Sequence, residues 1–144
     1  MNNYCLEVIR ADLTQTRTIE LPEPAELTLA HGEAVISVKR FGLTANNITY
    51  GVAGDMIGYW QFFPAEDGYG RIPVWGIGTV IDPGQTDLRA GDEYYGYYPM
   101  ASYLVVKPTH VTDRGFTDGA EHRGALPPTY NQYSLMTAAN GFDR

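Results

Sequence analysis

Tyr50 closes a short polar run, Asn46-Asn47-Ile48-Thr49-Tyr50, that packs hydrogen-bonding groups into one helical turn or tight loop. A phenol with a pKa of about 10 stays protonated at neutral pH, so Tyr50 can donate a hydrogen bond or a proton to a substrate carbonyl. Asn46 and Asn47 can face the same cleft and hold a ligand. Each residue also has a structural use. Asparagine caps short helices and holds turns, and a tyrosine can simply pack. The sequence allows both uses.

Aromatic residues supply the second chemistry. Tyr59, Trp60, Phe62, Phe63 and Tyr69 crowd a glycine-flanked segment, and Trp75, Tyr94, Tyr95, Tyr97 and Tyr98 follow. Each ring can bury about 150–250 Å². The run Gly58–Gly70 shows no alternation and reads as a long loop, and loop aromatics line pockets or interfaces. The expected ligand-binding set is therefore Asn46, Asn47, Tyr59, Trp60, Phe63, Trp75 and Tyr97, with Tyr50 as the catalytic candidate. An exposed aromatic patch of this kind is also expected to drive homo-oligomerisation, as a dimer.

Other chemistries find less support. Cys5, His31, His110 and His122 have no metal-ligand spacing, so no metal is expected and the histidines read as surface residues. Ser37, Ser102 and Ser134 lack a nucleophile-elbow context, and Cys5 fits a small buried hydrophobe in a first strand. Lys39 and Arg71 read as solvated strand-end charges, and Asp55, Glu66 and Asp67 as turn residues. A formal net charge of −7 argues against a nucleic-acid partner. Cys5 is the single cysteine, so no internal disulfide can form. The N-terminal residues lack a signal-peptide apolar core, and no run approaches the ~20 apolar residues of a membrane span. A cytoplasmic protein is expected.

The elements that must position these residues are mostly strands. The 144 residues suggest one domain. Residues 4–10 and 16–22 read as a first strand and its return, and 22–33 as loop. Residues 33–44 alternate imperfectly as a half-buried strand. Residues 71–82 form another, with Gly76 and Gly78 marking a bulge or a close backbone approach. An aromatic strand follows an Ala-Gly-Asp turn, and the strand in 101–111 ends at Pro108. About six short strands at these spacings point to a sandwich or barrel. Residues 44–53 can make one short helix capped by Thr44 or Asn46. Pro127 and Pro128 forbid a continuous helix in the tail.

Three segments, 32–50, 72–82 and 88–111, taken together resemble the GroES-like domain of medium-chain dehydrogenases/reductases. The string Leu43-Thr-Ala-Asn-Asn-Ile-Thr-Tyr50, with Gly54-Asp55, Tyr59-Trp60, Phe62-Phe63, Arg71, Pro73, Trp75-Gly76 and Tyr130-Asn131-Gln132-Tyr133, is similar to a poorly characterised, quinone oxidoreductase-like group. The resemblance implies a mostly β, partly open GroES-like barrel with one or two short helices. Residues 1–144 form the domain, 1–118 as barrel core and 119–144 as a C-terminal extension.

The resemblance further implies the substrate side of a zinc-free, NADPH-dependent carbonyl or quinone reductase. The chain carries no dinucleotide fingerprint, since Gly68-Tyr69-Gly70 runs into Pro73 and no βαβ pattern follows. The expectation is a stand-alone or truncated domain that holds no cofactor, with NADPH only on a nucleotide domain supplied elsewhere. Its alternative is a non-enzymatic module that binds a small aromatic or carbonyl ligand, or self-associates.

Overall fold

The computed structural model describes residues 3–142. Ten strands and two short α-helices follow one another: β1 Asn3–Ile9, β2 Asp12–Leu21, β3 Ala34–Phe41, α1 Ala45–Val52, α2 Gly54–Ile57, β4 Tyr69–Gly70, β5 Pro73–Asp82, β6 Glu93–Pro99, β7 Tyr103–Val106, β8 Pro108–Thr109, β9 Gly115–Asp118 and β10 Gln132–Leu135. β2, β1 and β4 form a small sheet. A nearly closed, barrel-like sheet of seven strands runs in the order β7-β3-β5-β6-β10-β9-β8. Every pairing is antiparallel. The mostly β, GroES-like architecture expected from the sequence is thus the one observed.

Local causes are visible along the chain. Gly76 and Gly78 face β3, where a Cβ on either would collide with the Arg40 carbonyl or with Ile36. The β3–β5 register slips between Val38 and Arg40 beside them, so the glycines mark both a close approach and a bulge. Pro108 ends β7 as expected, then starts the two-residue β8.

Two expectations need correction. The segment after Gly58 is not an open loop. It begins as a 3-10 turn over Tyr59–Gln61, and its rings point inward. Nor is 119–144 an appendage to a finished barrel. β10 lies between β6 and β9, so the tail supplies a strand of the main sheet.

The barrel core packs Ile36, Val74, Val80, Tyr94, Tyr98, Phe116 and Tyr133, with Phe116 stacked on Tyr133 at 5.0 Å. The tail is held by Arg123, which is 1% exposed. Its guanidinium donates to Asp118 Oδ2 at 2.9 Å, Asn131 Oδ1 at 2.8 Å, Tyr133 Oη at 2.8 Å and the Tyr130 carbonyl. The Tyr133 hydroxyl in turn donates to the Tyr97 carbonyl. The 130–133 segment is therefore a clasp that closes the barrel around one buried cation.

A second charged node joins the small sheet to the body. Glu7, 1% exposed, accepts from Arg17 at 2.8 Å and from Arg71 at 2.9 Å. Arg71 is thus an ion-pair partner and not a free strand-end charge. Cys5 lies two residues away on the same strand, fully buried. Desolvation pushes its thiol up to about 11, against a smaller opposing pull from Arg71. Thiol reagents at mildly alkaline pH are expected to spare Cys5 in the folded protein and to modify it on denaturation. Rapid labelling of the native protein, followed by mass, would show that β1 does not stay in place.

Candidate functional site

Helix α1 begins where β3 leaves the sheet. Thr44, extended at φ −136°, is its N-cap. Asn47 reaches back, its Oδ1 accepting the Thr44 N–H at 2.6 Å while its Nδ2 donates to the Pro73 carbonyl at 3.1 Å. Asn47 is buried and both ends of its amide are occupied by backbone, so it is a helix-to-strand tie and not a ligand contact. Asn46, one residue earlier, is exposed and donates to Tyr50 Oη at 3.0 Å.

Tyr50 lies at the centre of an aromatic cluster. Its ring meets Tyr59 at 4.7 Å and Tyr97 edge-on at 5.5 Å. Trp75 packs on Tyr97 at 4.9 Å, and Phe62 and Phe63 close the inner side. Tyr50 Oη receives two N–H groups, from Asn46 and from Trp75 Nε1 at 3.2 Å. Its lone pairs are engaged by these two donors, and the Tyr97 hydroxyl lies beside it. Tyr97 Oη is buried with no hydrogen-bond partner of proper geometry among the described residues. Burial drives the Tyr97 pKa far above the ordinary phenol value, and the neighbouring Tyr50, Tyr130 and Tyr59 hydroxyls raise it further. Four phenols therefore share one end of the cluster, with Asn46 exposed and Trp75 and Tyr130 half-buried at its rim.

The structure brings together Asn46, Tyr50, Tyr59, Phe63, Trp75 and Tyr97 from the expected set. Trp60 belongs elsewhere. It packs with Val8 and Ile72, its indole lodged against Gly54 and Gly70, where a Cβ on either would fall inside the ring. Its edge lines a separate cleft of about 380 Å³ with Arg10, Asp55 and His122. The rings of the cluster are buried and not the exposed patch that their loop-like sequence suggested. The apolar surface lies instead on the outer face of α1 and α2, at Leu43, Ile48, Val52, Met56 and Ile57, with Met56 90% exposed. Tyr130 is the residue that sequence reasoning left out of the site. Its motif, Tyr130-Asn131-Gln132-Tyr133, was visible, but nothing local showed that the ring turns toward Tyr97.

Every strand pairing among the described residues is antiparallel. No parallel pair leads through glycines into a helix, and α1 opens on an exposed polar turn sealed by its own cap. No three His, Cys, Asp or Glu side chains among the described residues come together as a metal set. No helix among the described residues is long and apolar enough to cross a membrane.

The antiparallel, barrel-like sheet with a short helix after its third strand is a fold that solved dehydrogenases and reductases also contain, and fold alone does not carry their chemistry to this chain. The chain belongs to the family described as protein of unknown function DUF2855, which matches residues 41–144. No curated protein matches it. Among solved structures, a single-residue variant of glucose dehydrogenase from Haloferax mediterranei is similar at 16% identity and a TM-score of 0.50, over 83% of this chain and 40% of that one. A CurK enoyl reductase is similar at 16% identity and a TM-score of 0.49, over 73% of this chain and 33% of that one. A mycobacterial quinone oxidoreductase is similar at 22% identity and a TM-score of 0.39, over 76% and 35%. The chain thus spans 33–40% of the length of these three enzymes, and the likeness is one of fold.

Proposed function

We propose that this domain is the substrate side of a zinc-free carbonyl or quinone reductase, with Tyr50 as the group that donates to the substrate oxygen. One observation carries the proposal: Tyr50 Oη accepts from both Asn46 and Trp75, so the hydroxyl is held in place with its own O–H as the hydrogen-bonding group it has left to give. A phenol held by two donors is oriented, and its O–H points where neither nitrogen lies. Stacked rings beside it offer a flat apolar wall for a planar substrate. Reduction also requires a nicotinamide cofactor, NADPH in this proposal, which another domain must hold.

Two measurements test this. NADPH titrated into the purified chain, followed by nicotinamide fluorescence, is expected to show no saturable binding, and saturable binding would overturn the two-part arrangement. In the polypeptide that unites this domain with a nucleotide domain, Tyr50→Phe is expected to lower kcat by about 10²- to 10⁴-fold with little change in KM. Unchanged turnover would remove Tyr50 from the chemistry.

Self-association without catalysis is a second reading, favoured by the aliphatic face of α1 and α2. Light scattering is expected to show a dimer that Val52→Lys with Met56→Lys converts to a monomer. A wild-type monomer at high concentration would rule it out.

A further inference from the structure

We infer that Tyr130 is a built-in occupant of a site made for a phenol-sized ring, and that a small ring bearing a hydroxyl or carbonyl oxygen binds there when Tyr130 swings out. This rests on the cluster proposed above as a substrate site, though not on its reductase chemistry. Tyr130 touches the cluster as a ligand would. Its centroid lies 4.8 Å from Tyr97, 5.2 Å from Phe62, 5.8 Å from Tyr59, 6.0 Å from Trp75 and 6.5 Å from Tyr50. Its hydroxyl makes one contact, with Tyr59 Oη at 3.1 Å.

Two features separate Tyr130 from the rings around it. It is half-buried while Tyr50, Tyr59, Phe62 and Tyr97 are buried, so it forms the outer layer. Its backbone is fixed independently of its ring. The Tyr130 carbonyl accepts from Arg123, and Asn131 next to it is bonded to Arg123 through both ends of its amide. The ring can therefore leave by a side-chain rotation alone, with the 127–131 segment in place.

A second observation points to a ligand oxygen. Tyr97 Oη is 0% exposed by residue and has no hydrogen-bond partner of proper geometry among the described residues. Buried hydroxyls in folded proteins are nearly always satisfied. Tyr130 gives its hydroxyl to Tyr59 and does not satisfy Tyr97. A ring of the same size, placed with its oxygen toward Tyr97, would accept from the Tyr97 hydroxyl. The ligand class follows from the plug itself: flat, about six heavy ring atoms, one polar oxygen, no charge.

The probe is p-cresol, with toluene as its apolar control, measured by calorimetry on the full chain. Wild type is expected to bind p-cresol weakly and saturably, because Tyr130 competes. Tyr130→Ala is expected to bind it at least about tenfold more tightly, since the occupied fraction no longer lowers the apparent affinity. Adding Tyr97→Phe to that variant is expected to weaken p-cresol about fivefold to tenfold while leaving toluene unchanged. Three results would overturn the inference: no saturable binding to wild type, equal affinity of folded Tyr130→Ala for toluene and p-cresol, or no effect of Tyr97→Phe. Binding of p-cresol together with wild-type turnover in Tyr50→Phe would leave the ring site standing and sink the reductase reading. No p-cresol binding, together with loss of turnover in Tyr50→Phe, would do the reverse.

Discussion

Between about pH 11 and pH 13 the protein is expected to unfold in one steep, cooperative step, seen by circular dichroism and by tyrosinate absorbance together. The cause is the set of buried phenols. Desolvation holds the Tyr94 pKa up at about 12, with Asp92 adding to it. Burial pushes Tyr97 and Tyr98 well above the ordinary value, and it does so for Tyr133 against the opposing pull of Arg123. In the unfolded chain each of these ionises at about pH 10. The folded state therefore keeps protons that the unfolded state releases, and stability falls as pH rises above the unfolded value. Below pH 10 their stabilising contribution is fully present. Above it, each such group adds about 1.4 kcal/mol per pH unit to the slope, so four give roughly 5 kcal/mol per unit. A domain holding about 5–15 kcal/mol in reserve is exhausted within one to three units. Gradual titration of all eleven tyrosines with the fold still intact at about pH 13 would contradict the burial of this core.

The same phenols explain what the sequence could and could not disclose. β3 was legible from its β-branched run more than from alternation, since Ala34, Val35 and Ile36 are buried on both faces at its start while Lys39 and Arg40 are exposed on both at its end. The α1 cap was legible because Thr44 and Asn47 act within one turn of each other. Tyr59 to Phe63 misled because period two and period 3.6 apply only to regular elements. A 3-10 turn wedged between two sheets can bury consecutive rings, so a lack of alternation there means enclosure, not exposure. Trp60 was separated from its neighbours by two glycines distant from each other in sequence, Gly54 and Gly70, whose missing side chains make its slot. Arg123 gave no signal at all. Its partners Asp118, Asn131 and Tyr133 lie within about ten residues of it, yet only the β9–β10 pairing turns them to one point.

Replacing Arg123 by methionine is therefore expected to be the most damaging single change in the tail. Arg123 and Asp118 are each 1% exposed at the side chain. Methionine fills most of the aliphatic volume but leaves the Asp118 carboxylate buried with only two backbone donors, Lys107 N at 3.1 Å and Ala120 N at 3.0 Å. Orphaning one member of a buried pair costs about 3–5 kcal/mol, which at this chain length lowers Tm by roughly 10–20 °C. If the cost is the stranded charge, Asp118→Asn added to Arg123→Met should restore much of the loss, because an amide keeps an acceptor for a backbone N–H and carries no charge. Additive losses in the double variant would instead assign the cost to Asn131 and Tyr133, which also lose their partner. Arg123→Lys should not rescue, since a single ammonium on a flexible stem cannot reach Asp118, Asn131, Tyr133 and the Tyr130 carbonyl at once. The consequence extends to the aromatic cluster. Tyr130 hangs on Arg123 through its carbonyl, and Tyr97 through the Tyr133 hydroxyl, so the cation that closes the barrel also sets the two phenols that face each other across the candidate site.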